Sequence, residues 1–160
     1  PLPGIPVPGE RRGTMAKINS RRKGKNGELQ VAHLFQAAGY KAERGCQHDG
    51  LSGHADVIGV PHIWIEVKWR ETLDLEEAMK QAERDCLAYM QQTGEHVVPI
   101  VVHKKNREAW KVTTRDMFWI EFYGALPFSV AVETGGLLTA RFEDWLKVYK
   151  AYQEWRDLCY

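Results

Sequence analysis

Three observations predict an α/β fold for this chain: a mixed central sheet with helices on its faces, in the order α-β-β-β-α-β-β, followed by C-terminal helical additions. Leu29, Val31, Ala32, Leu34, Phe35 and Ala38 recur at helical spacing, and so do Leu75, Ala78, Met79, Ala82, Cys86 and Met90. From Ile63 to Lys68 the side chains fall on alternate faces of a strand, with Ile63, Ile65 and Val67 on one side and Trp64, Glu66 and Lys68 on the other. The run HVVPIVVH, His96 to His103, is apolar without a break, as in a strand buried on both faces.

A length of 160 residues suits one domain with a core of its own. The balance of 22 basic against 21 acidic residues means that any nucleic-acid reading must rest on where the charges lie. Cys46, Cys86 and Cys159 are odd in number and widely spaced, which fits neither a disulfide framework nor a zinc pattern and implies a reducing, cytoplasmic setting. No apolar run approaches the ~20 residues of a membrane span, and no signal peptide is visible.

Taken in order, residues 1–25 read as an arm, rich in Pro and Gly to Gly13 and then basic, with Met15 a candidate natural start. Residues 10–25 carry seven Arg or Lys against one acid, Glu10. Arg21, Arg22, Lys23 and Lys25 are candidate phosphate contacts, although short charge runs are more often simply solvated. A helix is expected to open at Asn26 or Gly27 and close at Gly39, with Glu28 in its first turn. Tyr40 to Gly45 reads as a strand, and the Cys46 to His54 loop follows. A hairpin at Gly59 to His62 returns the chain to the alternating strand. Asp74 and Glu77 form a capping box for a helix that runs to about Gln92, with Gly94 beyond it. Pro99 is an awkward residue for a central strand, since it removes a ladder donor. Ala109 to Thr113 is the next strand, and Lys104, Lys105 and Arg107 lie in the turn before it. Met117 to Tyr123 reads as a short helix and Phe128 to Val132 as a strand. Phe142, Trp145, Leu146, Tyr149, Tyr152 and Trp155 then mark a final helix. Residues 26–113 form the expected core, and 114–160 extend the same domain.

The chemistry concentrates between Ser52 and Arg70. The hairpin brings Asp56 toward the strand face that carries Glu66 and Lys68. Two converging carboxylates without Cys or His partners suit a hard divalent cation such as Mg²⁺ or Mn²⁺ that keeps several waters. A lysine two residues beyond a ligand can orient or help deprotonate a metal-held water and offset charge on a phosphate. The same residues could also form an ordinary strand ion pair beside a surface aspartate. The apolar strand around them makes unpaired charge costly, which favours a functional role. His48 and His54 lack the partners for zinc. Arg44, Ser52, His54 and Arg70 are candidate phosphate contacts, while Gln81 reads as solvated.

The order Asp56, about ten residues, Glu66-Val67-Lys68 resembles the signature of the PD-(D/E)XK nuclease superfamily. More narrowly, Lys23 to Lys68 resembles its Holliday-junction resolvase branch of archaeal and phage type. The matching elements are Lys23-Gly24-Lys25-Asn26-Gly27-Glu28, Glu43-Arg44-Gly45, Ser52-Gly53, Asp56 and Glu66-Val67-Lys68. Ala55 departs from the proline that often precedes the aspartate. The resemblance implies a restriction-endonuclease-like sheet and a Mg²⁺-dependent endonuclease for branched DNA, working as a homodimer. It implies that Asp56, Glu66 and the Val67 carbonyl hold metal, that Lys68 assists the attacking water, and that Glu28 binds a second ion or positions water; nucleases of this kind often place a glutamine of the second helix near the site, to which Gln81 is a loose match, with the solvated reading favoured. Trp110, Trp119 and the C-terminal stripe of Trp145, Tyr149, Tyr152 and Trp155 either offer dimer surface or close the monomer's own core, and for the C-terminal helix the core reading is the favoured one. A restriction-like or nicking nuclease, an RNA target, or a non-catalytic binding protein on the same fold are the alternatives.

Overall fold

The computed structural model describes residues 12–45, 54–115, 119 and 132–159. Among these, the elements run α1 (Arg12–Ala37), β1 (Glu43–Arg44), β2 (Val57–Ile58), β3 (Ile63–Trp69), α2 (Leu75–Thr93), β4 (Val98–Lys104), β5 (Lys111–Arg115), β6 (Val132–Thr134), β7 (Leu137–Arg141) and α3 (Phe142–Cys159). The strands form one mixed sheet in the order β1-β2-β3-β4-β5-β7-β6. Among the described strands only β3 and β4 pair in parallel, from Ile63↔Val98 to Trp69↔Lys104, and α2 makes the crossover between them. The predicted fold class and element order hold, with a C-terminal hairpin added.

Both faces of the sheet are covered. On one, Ile63, Ile65, Ile100, Val102 and Val112 pack with Val31 and Phe35 of α1 and with Trp145, Tyr149 and Tyr152 of α3. On the other, Trp64 and Val101 pack with Ala78, Met79, Ala82 and Cys86 of α2. The period-two reading of β3 therefore assigns its faces correctly, and both are interior. Glu66 and Lys68 belong to the face under α2.

Several boundaries differ from expectation. Helix α1 opens at Arg12, well before Asn26, so the basic run is helical. Arg and Lys are good helix formers, and a glycine within such a run costs only about 1 kcal/mol. Glu28 consequently lies deep in the helix, away from its first turn. The first strand shrinks from Tyr40–Gly45 to Glu43–Arg44. Val98 donates its N–H to the His62 carbonyl, which turns the nitrogen of Pro99 away from β3. On that other side the pairing with β5 is registered only from Val101, so the proline interrupts no bond there. Asp74 caps α2 by accepting from the Glu77 N–H at 3.0 Å, and Gly94 ends it at φ 73°.

The β6–β7 hairpin was missed, although Gly135-Gly136 is a strong two-residue turn signal and both residues take positive φ. Of the expected strand Phe128–Val132, only Val132 is described, and it opens β6. Of Met117–Tyr123, only Trp119 is described; it is helical and fully buried. Trp110, Trp145, Tyr149 and Tyr152 are buried as well, which decides for the core reading and against dimer surface at these positions. These rings close the monomer's own core, with Trp145 and Tyr149 stacked at 5.2 Å. Trp155 and Leu158 remain exposed.

Candidate active site

The β2–β3 turn places Asp56. Gly59 sits at φ +88° where a Cβ would come within 2.0 Å of the Lys41 carbonyl oxygen, so only glycine lets the hairpin pack this closely. Gly45 does the same on the other flank. Its N–H donates to the Asp56 carbonyl at 2.9 Å, and a Cβ there would meet the Ala55 oxygen at 2.1 Å. The Asp56 N–H donates to the Ile65 carbonyl at 2.9 Å, and Asp56 Oδ2 accepts from the Val67 N–H at 2.7 Å. Backbone and side chain of Asp56 are thereby both fixed to β3. Strand geometry turns the Val67 carbonyl to the same edge as its N–H.

Glu66 is buried, and its partner is Lys68, with Nζ 2.7 Å from Oε1. Lys68 Nζ also donates to Gln81 Oε1 at 3.2 Å. Gln81 is thus half-buried against the ammonium rather than solvated, which is the less favoured of its two sequence readings. The available signal was its place beside Ala78 and Ala82 at the border of the apolar stripe of α2. Burial raises the Asp56 carboxyl to about 7, and the negative charge of Glu66 pushes in the same direction. The Val67 N–H and Lys68 pull it back only partly, while Glu28 adds to the rise. Two carboxylates therefore share a confined site in which both cannot easily be charged.

Beside Asp56 opens a cavity of about 500 Å³, lined by Arg21, Lys25, Glu28, Arg44 and His54. Arg21, Gly24, Lys25 and Glu28 fall at i, i+3, i+4 and i+7, which puts them on one face of α1. Arg44 Nε donates to Glu28. Lys23 Nζ lies 5.3 Å from the centroid of Trp69, and Lys104 Nζ lies 4.0 Å from it. Arg22 and Arg70 are exposed, and the Arg70 N–H donates to the Lys104 carbonyl. Ser52 lies outside the described residues. Asp56, Glu66, Val67, Lys68 and Glu28 are thus brought together, with Arg44, His54, Arg21 and Lys25 around the adjoining opening. Arg22, Lys23 and Arg70 do not line it.

Among the described residues, no group of three or more His, Cys, Asp or Glu side chains could hold a metal ion. A pair of hard carboxylate donors nevertheless suits a cation that completes its shell with water and phosphate oxygens. The raised Asp56 carboxyl beside Glu66 is the strain that such a cation would relieve, so the residues fit a hard divalent ion.

A family model described as "Phage putative PDDEXK endonuclease" matches residues 19–150. Among solved structures, the chain aligns with Hjc, a Holliday junction resolvase from the archaeal hyperthermophile Archaeoglobus fulgidus. The two are 17% identical over 78% of this chain and 88% of that one, with a TM-score of 0.42. No curated protein matches. The family match spans Asp56, Glu66 and Lys68 and most of the chain around them: this protein belongs to the phage PD-(D/E)XK endonuclease family.

Proposed function

We propose that the protein is a Mg²⁺-dependent endodeoxyribonuclease that cuts branched DNA, Holliday junctions first among them, and works as a homodimer. The observation that carries the reading is the cluster itself: Asp56 tied to Val67, and Lys68 held between Glu66 and Gln81. A surface ion pair needs neither the second carboxylate nor burial on this scale. The resemblance of Lys23 to Lys68 to junction resolvases supports the substrate class.

Asp56, Glu66 and the Val67 carbonyl would hold the cation. When bound, Mg²⁺ (or Mn²⁺ in its place) polarises the phosphate and lowers the pKa of a bound water. Lys68 would orient the attacking water in line with phosphorus and offset the charge that develops there. The new P–O bond forms as the bond to one bridging oxygen breaks, and the leaving oxygen takes up a proton. Gln81 keeps the Lys68 ammonium aimed. Glu28, paired with Arg44, binds a second ion or positions water. Arg21, Arg22, Lys23, Lys25, Arg44, Ser52, His54 and Arg70 contact the phosphate backbone.

Calorimetric titration with Mn²⁺ tests the assignment. The wild type should bind, and Asp56→Ala/Glu66→Ala should lose the heat of binding while keeping its circular dichroism spectrum. Undiminished binding by the double variant would remove the metal site from these residues.

A further inference from the structure

A second pocket, of about 370 Å³, lies beside the catalytic cleft. Its walls include Ile58, Trp64, Tyr89 and Val97, with His62 and Glu95 adding polar groups. His54 and Ala55 line both this pocket and the cleft that contains Asp56, so the two flank the same short segment. Trp64 stands two residues before Glu66 on the same face of β3, roughly 7 Å along the strand. Its side chain is 3% exposed, and its indole N–H is buried with no acceptor. The Tyr89 hydroxyl donates to Glu95 at 2.5 Å, and its ring centroid lies 5.3 Å from that of Trp64, which fixes the aromatic wall. His62 takes φ 65°, a left-handed conformation uncommon outside glycine, and its carbonyl is held by the Val98 N–H. None of these residues has a part in the cutting chemistry.

We propose that this pocket takes one unstacked nucleobase of the DNA strand whose phosphate occupies the neighbouring cleft. The inference rests on the nuclease reading for the identity of that strand. The volume lies at the lower end of the range for small-molecule sites, enough for one planar heterocycle and too little for a base pair with its backbone. Aromatic walls supply stacking that tolerates any base. Base carbonyls and ring nitrogens are acceptors of the kind the Trp64 N–H lacks, and His62 and Glu95 can meet the remaining polar edge. A branch point is where unstacking a base costs least, so the pocket would help the enzyme tell a branch from continuous duplex.

The test uses forked DNA carrying 2-aminopurine, or an abasic residue, at each position on either side of the branch in turn. Binding is measured with Ca²⁺, and cutting of the same forks with Mg²⁺. For the wild type, 2-aminopurine emission should change at one position, and an abasic residue there should weaken binding roughly 10-fold. Ile58 is 39% exposed, so Ile58→Trp can fill the mouth without entering the core; it should bind intact and abasic forks alike. Trp64→Phe keeps the wall but removes the N–H, and should narrow the gap a few-fold; it also decides the matter should Ile58→Trp not fold. Equal wild-type affinity for intact and abasic forks at every position, or an undiminished gap in either variant, would overturn the pocket. Cutting without base discrimination defeats the pocket alone, whereas base discrimination without cutting defeats the nuclease reading and leaves the pocket standing.

Discussion

At the residue scale, the site is a compromise between burial and charge. Burial comes first in raising Asp56 to about 7, and the charge of Glu66 comes second. The sign for folding follows directly. A carboxyl whose folded pKa lies above its unfolded value of 3.8 favours the folded state below about pH 4, and that contribution is lost as pH rises toward 7. Metal-free protein should therefore lose stability across that window, and Asp56→Asn should flatten the loss and gain about 0.5–2 kcal/mol at neutral pH. Thermal unfolding at a series of pH values in chelator checks both. Lys68→Ala should cut turnover by ~10²-fold or more while metal and DNA still bind. Gln81→Leu should lose roughly 10-fold, because it frees the ammonium without removing it. Near-wild-type turnover in Lys68→Ala would return Lys68 to a structural ion pair with Glu66.

At the scale of elements, the glycines of the hairpin and the basic face of α1 carry the argument. Gly45→Ala must push its Cβ into the Ala55 carbonyl and move β2, and with it Asp56. The expected cost is about 1–3 kcal/mol in denaturant unfolding, together with weaker Mn²⁺ binding. Neutralising Arg21, Arg22, Lys23 and Lys25 should lower the slope of log affinity against log salt by up to ~3–4 units. Linear and branched DNA should weaken alike, and an unchanged slope would make the run a solvated helix face. The alternation of Ile63 to Lys68 and the stripe of α2 were legible because each element obeys its own period. The early opening of α1 was not, because Arg and Lys runs look alike in a solvated tail and on a helix that buries its apolar face further on. Gln81 escaped for a related reason: a polar residue at the border of a stripe can face water or a buried ammonium, and only the position of β3 decides.

At the scale of the molecule, the two covered faces explain both stability and what is left for a partner. Trp145 is fully buried among Phe35, Phe142, Trp119 and Tyr149. Trp145→Ala should cost about 3–5 kcal/mol, whereas Trp155→Ala, half exposed and stacked on Tyr152, should cost about 0.5–1.5 kcal/mol. The C-terminal stripe was readable as a helix and its core role as the commoner one, but its partners, Phe35, Tyr40 and Trp119, lie far off in the chain and carry no local signal. For the proposed homodimer, the exposed Trp155 and Leu158 offer apolar surface. Light scattering of Trp155→Ala/Leu158→Ala checks this, with loss of the dimer expected.

The central claim is that Asp56, Glu66 and Lys68 make one metal-dependent site that cuts DNA at a branch. The most direct measurement is single-turnover cleavage of a labelled four-way junction and of linear duplex, with Mg²⁺ and with chelator. Cutting should depend on Mg²⁺ and favour the junction, with no cutting of either DNA by Asp56→Ala/Glu66→Ala. Cutting that survives chelation, or that persists in the double variant, would contradict it.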